Sequence, residues 1–233
     1  MALAFAREIV RVPGGRLCKA CADAVGVAGA GITLMTATGG GGPMCVSNQR
    51  MAALEDLQFT LGEGPCQDAF RSGSSVHAAR LDGDATTRWP AFVDLAHSTG
   101  VGSVFAYPMS TFGSRVGVLT LYQDGQGDLS ATQHGDSVDL AEVLAETVLS
   151  LQDDAPVGTL AHGLEGVVTH RAEVHQAAGM VSIQLGVSVA EAMIRIRAHA
   201  FATDQHVAAV AGEIVARRLR LSDDPPSILN ERK

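Results

Sequence analysis

The sequence predicts an α+β sandwich, with an antiparallel sheet between helical layers, followed by a small all-α module of three helices. Two observations carry this prediction. The apolar stretches Ser103–Pro108 and Arg115–Tyr122 are separated by a glycine-bearing turn, which predicts an antiparallel strand pair. Later, between Arg171 and Val215, apolar residues recur at helical spacing and are interrupted at Gly186. A chain of 233 residues with 46% hydrophobic residues has room for two such domains.

The first domain, residues 1–152, is predicted to alternate helices bounded by glycine or proline with short strands. A helix containing Cys18 and Cys21 comes first, and the glycine run 39–42 then forms a turn between two strands. The predicted elements in order are strands at Gly31–Thr36 and Met44–Ser47, helices at Met51–Leu61 and Pro65–Arg71, a strand at Val76–Leu81, a helix at Trp89–Ser98, the strand pair above, and a helix from Ser130 to about Gln152.

The second domain, residues 161–221, is predicted from start and stop signals. Gly186 ends its first helix, and Ser188 with Glu191 has the S-x-x-E form of a capping box that begins the second. Thr203 or Asp204 is the expected cap of the third. Residues 153–160 are the predicted linker, and the charged, proline-containing tail 222–233 is predicted to be disordered.

Several motifs of the first domain resemble those of GAF domains. They are Leu57-Gln-x-x-Leu-Gly-Glu-Gly-Pro-Cys66, Arg88-Trp-Pro90, the strand Ser103–Pro108 and Gly117-Val-Leu-Thr-Leu-Tyr122. The resemblance covers about Arg16–Gln152. It implies a sensory module that binds a small molecule or dimerises. The sequence has no nucleotide-specific or chromophore-anchoring motif, so the ligand is left unnamed.

The second domain resembles the ANTAR family over about fifty residues. The matching motifs are Gln176-Ala-Ala-Gly179, Leu185-Gly-Val-Ser188, Glu191-Ala192 and Arg197; the family's basic residue in Q-A-K-G is Ala178 here. The resemblance implies a module that binds RNA hairpins in nascent transcripts and prevents transcription termination. It also places Arg197 at the family's L-R position, as the first candidate contact.

Other candidate RNA-binding residues surround Arg197. Arg195 and His199 lie on the same predicted helix, although Arg195 and Arg197 point about 200° apart, on either flank of the apolar stripe. Arg171 is a candidate phosphate contact, while Gln176 and Gly179 allow close packing or close approach of RNA. A salt-bridging role in solvent is the alternative for Arg197, and dipole compensation at a helix end is the interpretation favoured for Arg217, Arg218 and Arg220.

Charge distribution limits where nucleic acid can bind. Residues up to Thr159 include nine basic and 17 acidic residues, a net charge of −8. Residues Leu160–Leu221 include six basic and five acidic residues, a net charge of +1. RNA binding would therefore depend on a few placed arginines of the second domain. No apolar run is long enough to span a membrane, and the expected location is the cytoplasm.

The cysteines and acidic residues raise three alternatives. All four cysteines are interpreted as small buried apolar residues, with metal binding or a disulfide as the alternative for the C-x-x-C at Cys18 and Cys21. Cys66 with His77 would be the pair needed by a cysteine redox enzyme. Asp82, Asp84 and Asp94 are interpreted as turn-forming or surface residues rather than metal ligands.

Together these observations favour a non-enzymatic, homodimeric regulator without catalytic residues, metal or cofactor. Its GAF-like domain would sense a small molecule, and its ANTAR-like domain would bind RNA hairpins. The first alternative is a ligand-sensing or protein-interaction module whose ANTAR-like part has weak or lost RNA binding. The second is the cysteine redox enzyme.

Overall fold

We analysed a computed structural model that describes residues 15–35, 41–111, 113–153, 165–203, 205 and 207–222. The chain forms two compact units that divide between Val168 and Thr169. The predicted linker, apart from Asp153, lies outside the described residues, as do the predicted tail beyond Ser222 and the cap proposed at Asp204.

Five strands and six helices belong to the first unit up to Asp153, in the described part of the chain. In chain order they are α1 (Gly15–Val25), β1 (Gly29–Met35), β2 (Gly41–Val46), α2 (Gln49–Leu61), α3 (Pro65–Ser72), β3 (Val76–Ala78), α4 (Asp84–Arg88), α5 (Pro90–Ser98), β4 (Ser103–Thr111), β5 (Ser114–Gln123) and α6 (Ala131–Asp153).

The strands form one antiparallel sheet in the order β2-β1-β5-β4-β3. The predicted pair Ser103–Pro108 and Arg115–Tyr122 is confirmed as β4 and β5, the central hairpin. At Gly117 on β5 an added Cβ would lie 2.3 Å from the carbonyl oxygen of Thr33, so the close approach of β1 and β5 requires glycine there.

Helices cover both faces of the sheet, which confirms the predicted sandwich. We call the side covered by α1 and α6 the α1 face; its core includes Leu17, Cys18, Ile32, Phe105, Tyr107, Leu119, Leu121 and Leu144. We call the side covered by α2, α3 and α5 the α2 face; its core includes Met51, Leu54, Cys66, Trp89, Phe92, Val104, Val118 and Tyr122. Alternate residues of β4 and β5 enter opposite cores, as the two-residue period of a strand requires.

Four elements differ from prediction. β2 begins at Gly41 rather than Met44, so Gly41 and Gly42 of the predicted turn belong to the strand, and β4 ends at Thr111 rather than Pro108. β3 ends at Ala78 rather than Leu81, because the carbonyl oxygen of Ala79 accepts a hydrogen bond from the amide of Gly127 and so leaves the ladder. The short helix α4 is missing from the prediction, since five residues are too few to show a helical period.

The cysteine prediction is half wrong. Cys18 and Cys45 form a disulfide with a Cα–Cα distance of 5.9 Å, so they are not free apolar residues. Cys21 and Cys66 are buried and take part in no disulfide, as expected. The partner of Cys18 is therefore on edge strand β2 rather than at the other end of its C-x-x-C.

The second unit contains the three predicted helices: α7 (Glu165–Leu185), which begins before the division, α8 (Val189–Ala202) and α9 (Val207–Val215). Gly186 adopts a φ of 66° after α7, and the Ser188 hydroxyl accepts a hydrogen bond from the Glu191 amide at 3.1 Å. The predicted stop and the Ser188 half of the capping box are thus confirmed, whereas the Glu191 carboxylate accepts a hydrogen bond from Arg195. The buried residues of this unit are Val174, Ala177, Ala178, Val181, Ala192, Met193, Ile196, Ala200, Val207, Val210, Ala211, Ile214 and Leu221.

Candidate functional site

The loop Gly62–Cys66 of the first unit is held by a buried glutamine. Gln58 is 1% exposed, and its Oε1 accepts a hydrogen bond from the backbone amide of Cys66 at 2.7 Å. Gly64 has a φ of 120°, and an added Cβ there would lie 2.8 Å from the Gln58 side chain. The glycine is therefore required both by its backbone conformation and by the packing of Gln58.

Two carboxylates, Glu63 of this loop and Asp68 of α3, make hydrogen bonds to residues of α4 and α5 and to Trp89 between them. Glu63 accepts a hydrogen bond from the Phe92 amide at 2.8 Å, which satisfies a free donor in the first turn of α5. Asp68 accepts from Arg88 Nε at 2.7 Å and from Trp89 Nε1 at 3.0 Å. Hydrogen bonds therefore connect the motif Leu57–Cys66 to α5, and the motif Arg88–Pro90 to α3. Together these contacts frame the α2 face.

A polar cluster lies inside the α2 face. The Thr33 hydroxyl donates to Glu55 Oε2 at 2.6 Å, and Glu55 is only 3% exposed. Thr120, fully buried on β5, points to the same face because its neighbours Leu119 and Leu121 enter the other core. Among the described residues, Gln58 Nε2 and Thr120 Oγ1 have no hydrogen-bond partner. Buried polar atoms without a hydrogen-bond partner are rare in proteins, and each one lowers the stability of the folded state.

Sequence reasoning missed these polar residues. Glu55 and Gln58 fall on the buried side of α2, where the sequence suggests only an amphipathic helix. One signal in the sequence could have found them. Glu55 and Gln58 are three residues apart, on the same side of the helix as the apolar Met51 and Leu54, where polar side chains are not expected.

The cysteine–histidine pair that the redox-enzyme alternative requires is not formed. Cys66 lies in the core of the α2 face, whereas His77 contacts Phe105 and Tyr107, which belong to the α1 face. The two side chains are thus on opposite sides of the sheet.

Asp82 pairs with Arg80 at 2.7 Å in its loop, as a turn residue does. Within the part of the chain that the structure describes, no group of three or more His, Cys, Asp or Glu residues could hold a metal ion.

His77 belongs instead to an aromatic group on the α1 face. Its ring centroid lies 4.9 Å from that of His134 on α6, and the Tyr107 hydroxyl lies 3.1 Å from His134 Nδ1. Burial lowers the pKa of His77, His134 lowers it further, and Asp128 acts in the opposite direction. Burial also raises the pKa of Tyr107 to about 12.

The candidate RNA-binding residues lie on α7 and α8 of the second unit. Arg195 and Arg197 flank the buried stripe Ala192–Ile196–Ala200, and Arg195 Nε donates to Glu191 at 3.3 Å. Arg197 and His199 are half-buried, while Gln176 is exposed. Gly179 has nothing within 4 Å of an added Cβ, so packing within this unit does not require glycine there. Arg171 lies on α7.

Two further features of this unit were not predicted. Ala178 is fully buried. Several large apolar side chains are exposed: Ile183 by 87%, Ile194 by 58% and Phe201 by 60%. Arg218, in contrast, makes two 2.8 Å hydrogen bonds to Glu213, which favours the predicted structural role at a helix end.

Comparison with solved structures identifies the fold of the first unit. A GAF domain of an Acinetobacter phosphoenolpyruvate-protein phosphotransferase superposes with a TM-score of 0.52 at 16% identity, over 67% of this chain and 95% of that one. The first unit has the GAF fold. A GAF region of a Geobacter sulfurreducens putative membrane protein gives a TM-score of 0.46 at 17% identity, over 58% of this chain and 90% of that one. A Coxiella burnetii GAF domain gives 0.46 at 13% identity, over 65% and 95%.

No protein-family model and no curated protein sequence matches the chain. The GAF fold is thus assigned from structure, and the two motifs that frame its α2 face agree with the resemblance found in the sequence. None of the described helices is by itself long and apolar enough to cross a membrane; one bent pair, Glu173–Leu185 with Val189–Ala202, passes that test jointly across a 106° bend.

Proposed function

We propose that this protein is a sensory regulator in which the GAF unit binds a small molecule and the three-helix unit binds RNA hairpins of nascent transcripts, as an ANTAR domain does. Binding would prevent transcription termination. The observation that supports the RNA-binding part is the position of Arg197, at the family's L-R position and on a flank of α8 rather than in the core.

The small-molecule part is supported by the polar cluster of the α2 face. Gln58 Nε2 is a donor and Thr120 Oγ1 is both donor and acceptor, while Glu55 supplies a buried carboxylate. A ligand with both donors and acceptors would match these groups better than an apolar one. The proposed homodimer would present two RNA-binding units at once, which raises the effective concentration of the second contact.

Fluorescence-anisotropy titration of labelled stem-loops tests the RNA proposal. Arg197→Ala is expected to weaken binding about tenfold and to lower the slope of log K against log salt by about 0.7 to 0.9. Arg218→Ala is the matched control, because that arginine follows α9, outside the motifs that resemble the ANTAR family, and its predicted role is structural. Equal effects of the two substitutions, or equal affinity for stem-loops and unstructured strands, would contradict the proposal.

A second candidate function is favoured by the exposed apolar residues of α7 and α8. At 100° per residue, Ile194 and Phe201 lie about 20° apart on one exposed side of α8. A contiguous apolar side of this kind is typical of a protein-interaction surface. If Phe201→Ser and Ile194→Ser change the oligomeric state in light scattering and leave RNA affinity unchanged, α8 is a protein contact.

A further inference from the structure

Three of the four cysteines lie in the core of the α1 face. Cys18 and Cys21 lie on α1, and Cys45 lies on edge strand β2 opposite Ile32, which belongs to the same core. Cys18 and Cys21 are fully buried, while Cys45 is 8% exposed. One disulfide joins Cys18 to Cys45, and Cys21 remains a free thiol.

The free thiol is one helical turn from the disulfide. Residues three apart on a helix have Cβ atoms about 5–6 Å apart, and Cys18 and Cys21 share the buried side of α1 with Leu17, Ala22 and Val25. A disulfide needs about 3.5–4.5 Å between Cβ atoms, so a tighter turn of α1 brings this pair into bonding distance. Cys18 thus has two possible partners, and it can bond to only one of them at a time.

We propose that this cluster is an internal thiol–disulfide exchange site, in which Cys18 pairs with either Cys45 or Cys21. Cys21 loses its proton, and its thiolate attacks Cys18 Sγ. The Cys18–Cys45 bond breaks, Cys45 leaves as a thiolate and takes up a proton, and a Cys18–Cys21 bond has formed. The number of thiols and disulfides is unchanged, so no oxidant or reductant is consumed.

Exchange would alter an anchor of the α2 face. The disulfide is the covalent link between β2 and α1, and β2 continues through Asn48 into α2. Asn48 Oδ1 accepts hydrogen bonds from the Met51 amide at 2.9 Å and from the Tyr122 hydroxyl at 3.1 Å, which holds the start of α2. Release of Cys45 therefore loosens the strand that leads into the helix carrying Glu55 and Gln58.

Burial controls the rate of this reaction. It raises the pKa of the Cys21 thiol to about 12, so the attacking thiolate is scarce at neutral pH. Below that pKa the thiolate fraction rises tenfold for each pH unit, and the exchange rate is expected to follow it. The Cys18–Cys45 pairing present in the structure is therefore expected to exchange slowly at neutral pH.

Trapping with iodoacetamide tests the proposal on the full-length oxidised protein without denaturant. Alkylation of the released Cys45 makes exchange irreversible. Cyanogen bromide cleavage after Met44, followed by trypsin, places Cys18 in peptide 17–19, Cys45 in 45–50 and Cys21 in a separate fragment beginning at Ala20. Mass spectrometry then shows which fragment is bonded to peptide 17–19.

The expected product is alkylated Cys45 with a Cys18–Cys21 disulfide, formed about tenfold faster at each higher pH unit between pH 7 and 9. Cys21→Ser should abolish it while retaining Cys18–Cys45, and Cys21→Ala serves if the serine variant misfolds. Cys66→Ser, which removes the cysteine of the other core, should react like wild type. Amide exchange at Met44–Val46 should increase in the trapped product.

Four results would overturn the proposal. They are the absence of a disulfide at Cys18 in oxidised protein, the absence of the trapped product at pH 9, its equal formation without Cys21, and its loss in Cys66→Ser. Unchanged amide exchange in β2 would refute the coupling between exchange and the α2 face.

Discussion

Asp68 offers the sharpest test of how the α2 face is framed. Its carboxylate accepts hydrogen bonds from Arg88 Nε and from the indole N–H of Trp89, which is 3% exposed. In Asp68→Ala the buried indole donor loses its acceptor, which costs about 1–3 kcal/mol. The Arg88 side chain is 53% exposed, so loss of that ion pair adds only about 0–1 kcal/mol. We expect a total destabilisation of about 2 kcal/mol.

The assay is urea unfolding followed by fluorescence, because Trp89 is the single tryptophan of the chain. With a slope of about 2 kcal/mol per molar urea, the midpoint should fall by about 1 M. Asp82→Ala is the matched control: it removes a carboxylate from an exposed pair with Arg80 and should shift the midpoint by less than about 0.3 M. Far-UV circular dichroism must show the same midpoints as fluorescence. Equal shifts for Asp68→Ala and Asp82→Ala would refute the reasoning.

Three further predictions concern single residues. Gly64→Ala should destabilise the GAF unit by about 1–3 kcal/mol in the same urea assay, because φ is 120° and the new Cβ meets Gln58; an unchanged midpoint would contradict this. Since the folded-state pKa of His77 is lowered, the unfolded state binds its proton first, and stability falls as pH drops below about 6.5 toward that lower pKa. His77→Gln should reduce this pH dependence, which parallel urea curves at pH 5 and pH 8 will measure against wild type. Ser188→Ala should destabilise α8 by about 1 kcal/mol and speed amide exchange at Glu191, whereas the exposed Ser222→Ala should not.

Local signals predicted most of the fold. Gly186 and Ser188 fix the boundary between α7 and α8 through backbone conformation and a cap, both of which involve neighbours in sequence. The β4–β5 hairpin is equally local. α4 was missed because it is too short to show a period, and the end of β3 depends on Gly127, nearly fifty residues later.

The contacts that build the sites are mostly distant in sequence, which is why prediction failed there. The spacing of Cys18 and Cys21 drew attention to the C-x-x-C, whereas the actual partner of Cys18 is 27 residues away on β2. Cys66 and His77 are eleven residues apart, yet the sheet separates them. Glu55 and Gln58 became site candidates only once the sheet showed that their side of α2 is buried.

The proposed RNA-binding output is tested most directly by crosslinking the full chain to RNA in cells and sequencing what is recovered, with Arg197→Ala in parallel. The account predicts stem-loops enriched just upstream of transcription terminators, and loss of that enrichment in the variant. Recovery of the same RNAs by both proteins, or of RNA without stem-loops, would contradict it.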